Sequence, residues 1–356
     1  MHTQSGAGAR RGRGAGRTAL GLVGIVTLVL AALVAAAPAQ DASGAAFYRG
    51  KTVTLIVATK PGGGYDAYAR LVARYLTKYL PARTIVVRNL PGAGHIIGAN
   101  EVYNARPDGL TLGTFNKGLI VAQIAGTRGI RFDMTKFTWI GVPDSEPRVW
   151  IVSKQSPFRT LGDVTAGTRT LTEAANGVGS EDYVDAMMLR NILGLTTLKI
   201  VTGYQGNDAD LAMLRGEVDG LIGSLSSLEQ LMQTEGARPI LVIGKARLPG
   251  YPDVPVLPEV APAGKTPLVT LMLSQAVLGH PFAAPPGVPA DRVQALRRAF
   301  AGTLRDPELQ AAAKKARLII NPLDGEETAR LVTEAAHPPQ DVAGVIKSIM
   351  AATKKR

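Results

Sequence analysis

The chain reads as a two-lobed α/β protein, each lobe a mostly parallel sheet flanked by helices, with a hinged cleft between the lobes. Three observations predict this. Short β-branched runs alternate with amphipathic helical stretches from Val53 onward; the same alternation restarts at Val149; and a proline-dense stretch then leads into a closing block of helices with too few strands for a sheet of its own. The 356 residues suit two globular units at about 100–200 residues each.

The first lobe opens with the run Val53–Ala58, the loop Lys60-Pro-Gly-Gly-Gly-Tyr-Asp66, and then Tyr68, Leu71, Val72, Tyr75, Leu76 and Tyr79 at helical spacing. Strand, glycine loop and helix repeat at once as Thr84–Val87, Pro91–His95 and Ile96–Asn104, followed by the turn Pro107-Asp-Gly109 and a strand over Leu110–Thr114. Short links in a β-α-β-α-β order require parallel strands. The second lobe is predicted to hold strands near Val149–Val152, Arg169–Thr172, Leu198–Val201 and Pro239–Ile243, with helices near Glu181–Leu193 and Ala209–Arg215. Pro249, Pro252, Pro255, Pro258, Pro262 and Pro267 then interrupt regular structure. Beyond them, Leu268–Leu278 reads as a buried strand, and helices are expected over Ala290–Leu304, Pro307–Ala316, Glu326–Ala335 and from Asp341. The expected division is residues 40–147 with 254–356 as domain I and 148–253 as domain II. Two crossings between lobes make a hinge.

Residues 1–39 read as an export signal: Arg10, Arg11, Arg13 and Arg17 precede an uncharged run that ends in Ala37-Pro-Ala39. An uncleaved anchor is the competing reading of that run. Cleavage would remove four arginines and lower the net charge from +12 to +8. The remaining basic residues are scattered and aromatics are 5%, so the surplus suits solubility and small anions and gives no nucleic-acid footprint. Zero cysteine excludes thiolate catalysis, iron–sulfur clusters, Cys-ligated zinc and disulfides.

Both glycine loops of the first lobe follow a strand and open a helix, the position where open parallel sheets bind ligands and where helix N-termini offer free N–H groups. Gly62, Gly63 and Gly64, with Gly92 and Gly94 beside them, let backbone approach an anion; tight turns alone are the plainer reading of either loop. Asp66 is a first-turn acid for the helix or a partner for a ligand ammonium or hydroxyl. Lys60, His95 and Lys117 stand at strand ends where they would add positive charge. In the second lobe, Ala175-Asn-Gly-Val-Gly-Ser180 and Gly203-Tyr-Gln-Gly206 would face these loops, with Asn176, Ser180 and Tyr204 as hydrogen-bond donors. Asn-Gly turns and a Ser cap are the plain alternatives.

Enzymatic signals are sparse. No Gly-Lys-Ser/Thr closes the first loop, and Gly92-Ala-Gly94-His-Ile-Ile-Gly98 has one residue too many for a dinucleotide fingerprint. No His/Asp/Glu metal spacing or Gly-x-Ser-x-Gly elbow appears, so no catalytic residue, metal or cofactor is expected.

Taken in order, Phe47–Val57, Pro61–Arg70, Asn89–Gly94, Arg106–Leu112, Ala175–Gly177, Gly203–Gly206, Gly216–Asp219, Tyr251–Pro255 and Ala284–Pro289 resemble the substrate-binding proteins of tripartite tricarboxylate transporters, the Bug family. The resemblance implies a periplasmic-binding-protein-like fold. It also implies a monomeric, non-enzymatic receptor that closes on a small carboxylate (a di- or tricarboxylate or related organic acid) and delivers it to membrane permease subunits. Carried over by position, it points to Gly63, Gly64, Asp66, Gly94 and His95 from the first lobe and to Asn176, Gly177, Ser180, Tyr204 and Gly206 from the second. His95 stands where the family often has glycine, Lys60 precedes the first loop where apolar or small residues are usual, and Glu181 and Asp182 stand where small polar residues and His are expected, acids that would suit a ligand carrying an amine. A secreted dinucleotide-dependent oxidoreductase and a ligand sensor without transport are the alternative functions.

Overall fold

A computed structural model describes residues 44–351; the expected export signal at 1–39 lies outside them. Among the described residues the strands are β1 (Thr52–Val57), β2 (Thr84–Asn89), β3 (Thr111–Thr114), β4 (Thr138–Val142), β5 (Arg148–Val152), β6 (Leu171–Ala175), β7 (Leu198–Thr202), β8 (Gly220–Ser224), β9 (Arg238–Ile243), β10 (Phe282–Ala284) and β11 (Leu323–Asp324). Helices of four residues or more are α1 (Gly63–Leu76), α2 (Ile96–Tyr103), α3 (Leu119–Ile124), α4 (Leu161–Thr165), α5 (Glu181–Ile192), α6 (Asp208–Leu214) and α7 (Leu225–Thr234). They continue as α8 (Leu257–Val260), α9 (Thr266–Ala276), α10 (Ala290–Leu304), α11 (Pro307–Lys315), α12 (Gly325–Ala336) and α13 (Gln340–Ala351).

The strands form two sheets, ordered β11-β4-β10-β3-β1-β2 and β7-β6-β8-β5-β9. In the first, β1 runs parallel to β2 and β3, while β10 inserts antiparallel between β3 and β4. In the second, β6 is parallel to β7 and β8, and β5 is antiparallel to β8 and β9. Strand β1 shows why the parallel part lies at the centre. Val53, Leu55 and Val57 pack on one face with Val72 and Leu76 of α1 and Phe300 of α10, while Ile56 joins a different core on the other face. A strand apolar on both sides is stable only when helices cover both.

The chain crosses between sheets twice, through Pro143–Pro147 and between β9 and β10. The crossings are tied together: His280 N and Nδ1 meet the Asp144 carboxylate at 2.9 and 2.8 Å. Asn321 adds a third segment, donating from its backbone N to Pro143 O at 3.1 Å and from Nδ2 to Ser145 O at 2.8 Å. On this side the lobes share one apolar core, which joins Ile56 and Trp139 to Trp150, Ile222 and Ile243 through α5 and α9. Val256 still bridges Val242 and packs, with Val254, on the second-sheet core; the chain re-enters the first sheet only at Phe282.

One expectation is corrected. Leu268–Leu278 is not a strand: residues 268–276 lie in helix α9 and Val277 and Leu278 in the turn after it, with Pro267 in the helix's first turn, where proline's missing N–H costs nothing. Leu268, Val269, Leu271, Met272, Gln275 and Ala276 are its buried side, and the shared core on both flanks makes so much of the helix apolar that the 3.6-residue period is hidden. Strands β4, β8 and β10, and helix α7, were not separated from their surroundings in the sequence; β10 is three residues long and β8 is Gly-Leu-Ile-Gly-Ser.

Candidate functional site

The carboxyl ends of β1, β2 and β3 and those of β6, β7 and β8 carry loops that meet across the gap between the lobes. Gly62, Gly63, Gly92 and Gly94 all take positive φ, which a Cβ disfavours, so these two loops can bend sharply into helix starts. The meeting is tight. A Cβ on Gly94 would lie 2.7 Å from Val178 O and 2.8 Å from Ser180 N, and one on Gly64 would lie 2.5 Å from both His280 Nε2 and Ser227 Oγ. Lys60, half exposed at the rim, pairs with Asp208 of the other lobe at 3.0 Å. Hollows of about 500 and 420 Å³ open elsewhere on the first lobe, beside β2 and β11.

The loop residues expected in the site differ in what their side chains are doing. Asp66 is buried and accepts from Gly62 N at 3.0 Å, Arg70 Nε at 2.8 Å and Asn89 Nδ2 at 2.9 Å. Burial opposes its ionisation, but these donors outweigh that and hold its pKa below the usual carboxylate range. Its oxygens therefore fasten the first loop to α1 and β2, as the first-turn reading expected. Ser180 is likewise turned inward, donating from Oγ to Gly177 O and accepting from Gly177 N at 3.1 Å. Asn176 N donates to Asp182 Oδ2 at 2.8 Å, and Tyr204 packs against the second-sheet core. Gly206 is placed against the backbone of Pro61 and Gly62, so Gly63, Gly64, Gly94, Gly177 and Gly206 are brought to one seam.

His95 does not supply charge there. Burial drives its pKa down to about 4, and its Nδ1 accepts from Asn116 N at 3.3 Å, so the ring is neutral with its proton on Nε2. This corrects the expectation that His95 adds positive charge. Asn116 Nδ2 also donates to Gly94 O at 2.9 Å, while Asn116 Oδ1 and Gln205 Oε1 are buried without a hydrogen-bond partner among the described residues.

Sequence reasoning missed the charged centre of the seam. Glu181, the first residue of α5, extends from the second lobe into the first. Its Oε2 accepts from Tyr65 Oη at 2.7 Å, and its Oε1 pairs with Lys117 Nζ at 3.1 Å and with Arg148. Burial works against the charged form, but Arg148 and then Lys117 overcome it and hold Glu181 at about 2. Arg148, on β5, also pairs with Asp185 one turn further along α5. Beside this centre the rings of Tyr65 and His95 meet edge to face at 5.0 Å, and His280 stacks on Tyr68 at 4.5 Å. Of these groups, Lys117 and Glu181 were visible in the sequence as a strand-end lysine and an unusual acid. Nothing in the sequence paired them with each other or with Arg148. Asp144, Glu146 and His280 also bring three ligand-type atoms within 4.8 Å of one another, but His280 occupies Asp144 and Ser226 occupies Glu146.

Residues 68–346 match the family described as the tripartite tricarboxylate transporter family receptor. The chain belongs to that receptor family. Among curated relatives, a UPF0065 protein of Bordetella bronchiseptica is 27% identical over 298 residues, spanning 81% of this chain and 84% of its own. Protein BugT of Bordetella pertussis is 23% identical over 281 residues, covering 71% and 82%. Among solved structures, the periplasmic binding protein BugD superposes with a TM-score of 0.65 at 24% identity, covering 86% of this chain and 96% of that one. MatC of Rhodopseudomonas palustris, with bound malate, gives 0.68 at 23%, covering 84% and 99%. The two-lobed fold of periplasmic binding proteins is therefore this chain's fold, and the family is one of solute-binding receptors. No helix among the described residues is long and apolar enough to cross a membrane.

Proposed function

We propose that the protein is an extracytoplasmic receptor that captures a small carboxylate between its lobes and delivers it to the permease of a tripartite transporter. The observation that carries this is the seam itself: glycine loops at the strand ends of both sheets, meeting around one buried carboxylate held by Tyr65, Lys117 and Arg148. Backbone N–H groups and buried cations of this kind recognise a carboxylate by its charge and geometry. Gly63, Gly64, Gly94, Gly177 and Gly206 shape the walls in this reading. Asp66 and Ser180 hold the loops in place, and His95, Asn176 and Tyr204 offer donors to the remainder of the ligand.

Support also comes from relatives of this fold: MatC carries malate and Rhodopseudomonas palustris Rpa4515 carries adipate. In this reading domain I (residues 40–147 with 254–356) and domain II (residues 148–253) move about the paired crossings at Asp144 and His280, with Val254 and Val256 at the boundary staying packed on the second-sheet core. The role is binding without turnover, in the periplasm, by a monomer. A thermal-shift screen of the chain from Asp41 against mono-, di- and tricarboxylates, amino acids and nicotinamide nucleotides tests the reading. A ligand at a hundredfold excess over its Kd raises stability by about 2.7 kcal/mol. One carboxylate class should respond; a response to nucleotides alone would favour an oxidoreductase and overturn the proposal.

A further inference from the structure

We propose that Glu181 is the chain's own occupant of a carboxylate subsite made by Tyr65, Lys117 and Arg148, and that a substrate carboxylate binds by exchanging with it. The inference rests on the receptor reading above and assigns its central subsite. The three donors come from separate segments: Tyr65 from α1, Lys117 from the turn between β3 and α3, and Arg148 from β5 in the other lobe. Together they supply a hydroxyl, an ammonium and a guanidinium to a single carboxylate. Lys117, Arg148 and Glu181 side chains are only 2%, 6% and 9% exposed. Charges buried this far are tolerated only in pairs, because removing either partner leaves the other without solvation.

The split between lobes gives the arrangement its consequence. Separating the lobes leaves Arg148 with Asp185, its partner on the same lobe. Lys117 is different. Apart from Glu181, the partners of its Nζ are the carbonyl oxygens of Ala276 and Gly279 at 3.3 and 3.5 Å, which carry no compensating charge. An opened first lobe thus presents Lys117 Nζ and Tyr65 Oη as uncompensated donors beside the glycine loops. A substrate carboxylate taking that place meets Glu181 as a competitor for the same donors and as a like charge on closure. Glu181 is therefore a specificity-determining residue: it weakens the cleft for anions and limits how much negative charge a substrate brings.

Calorimetric titration of the wild type, Glu181→Gln and Lys117→Met with malate, adipate and aspartate tests this, with circular dichroism confirming that each variant is folded. Glu181→Gln keeps the shape but removes the competing charge, so malate or adipate should bind at least about tenfold tighter, equal to 1.4 kcal/mol. Lys117→Met should bind them at least about tenfold more weakly. Wild type that binds malate or adipate with no gain in Glu181→Gln would overturn the subsite while leaving the receptor reading intact. So would aspartate binding that collapses in Glu181→Gln without any gain for the other two, since Glu181 would then be a counter-ion for an ammonium group. Unchanged binding by Lys117→Met would also overturn it. Silence of all three proteins with malate, adipate and aspartate would also overturn the subsite as one for dicarboxylates, while the wider thermal-shift panel decides the receptor reading separately.

Discussion

Gly94 and Arg148 carry most of the site's consequences at the scale of single residues. Gly94 sits at φ +59°, and a Cβ there would press on the backbone of residues 178–180 in the opposite lobe. Gly94→Ala therefore suffers twice, about 1–2 kcal/mol for the left-handed backbone and a further loss whenever the lobes meet. Its melting temperature should fall modestly and its affinity for the ligand found by the screen more steeply; equal affinity would show that the seam does not close on ligand. Arg148 is shared by Glu181 and Asp185, both buried. Arg148→Met strands two carboxylates and is expected to cost about 3–5 kcal/mol, read as a drop in the denaturant midpoint. The glycines of the loops were legible in the sequence because their spacing after each strand is local. The partnership of Arg148 with Glu181 was not, because it depends on a turn of α5 brought beside β5, which no sequence spacing encodes.

Among the elements, α1 and its loop show how local chemistry builds the binding edge. Asp66 gathers Gly62 N, Arg70 and Asn89, and so fixes the loop, the helix start and the end of β2 together. Asp66→Ala should destabilise the protein by about 1–2 kcal/mol, as lost N-terminal caps do, and weaken ligand binding even where the ligand never touches residue 66. Urea unfolding and titration measured on the same variant separate the two effects. Strong amphipathic periodicity made α1, α10 and α12 readable from sequence, whereas α9 was read as a strand. The difference is physical: α9 packs on α5 and α12 through one stripe, but Leu273 on its other side leaves only Thr270 and Ser274 as polar breaks on that side of the apolar run, so the sequence hides its period.

At the scale of the whole molecule, the first crossing buries a carboxyl whose ionisation opposes folding. Glu146, between Asp144 and β5, is pushed up to about 7, first by burial and then by the Asp144 carboxylate, against the ordinary 4.5. A raised carboxylate pKa favours the folded state at low pH, so this contribution is complete below about 4.5 and disappears as pH rises through 7, on the order of 3 kcal/mol across the window. Glu146→Gln stays neutral throughout. Its melting temperature should gain on the wild type as pH is raised from 4.5 to 8; a constant difference would show that Glu146 ionises normally. The two-sheet architecture was recoverable from alternating patterns. The insertion of β10 and β11 beside β4 was not, because those strands are three and two residues long and owe their place to the return of the chain.

If a small carboxylate is bound where the loops of the two lobes meet, Gly94→Asp should abolish its binding, since aspartate tolerates the left-handed backbone better than most residues while its side chain fills the contact with residues 178–180. Calorimetric titration of the wild type with the carboxylate that shifts its melting temperature should show saturable binding at one site per chain, and the folded Gly94→Asp variant should show none. Equal affinity in both proteins would rule out the seam as the binding site and put the ligand elsewhere on the molecule.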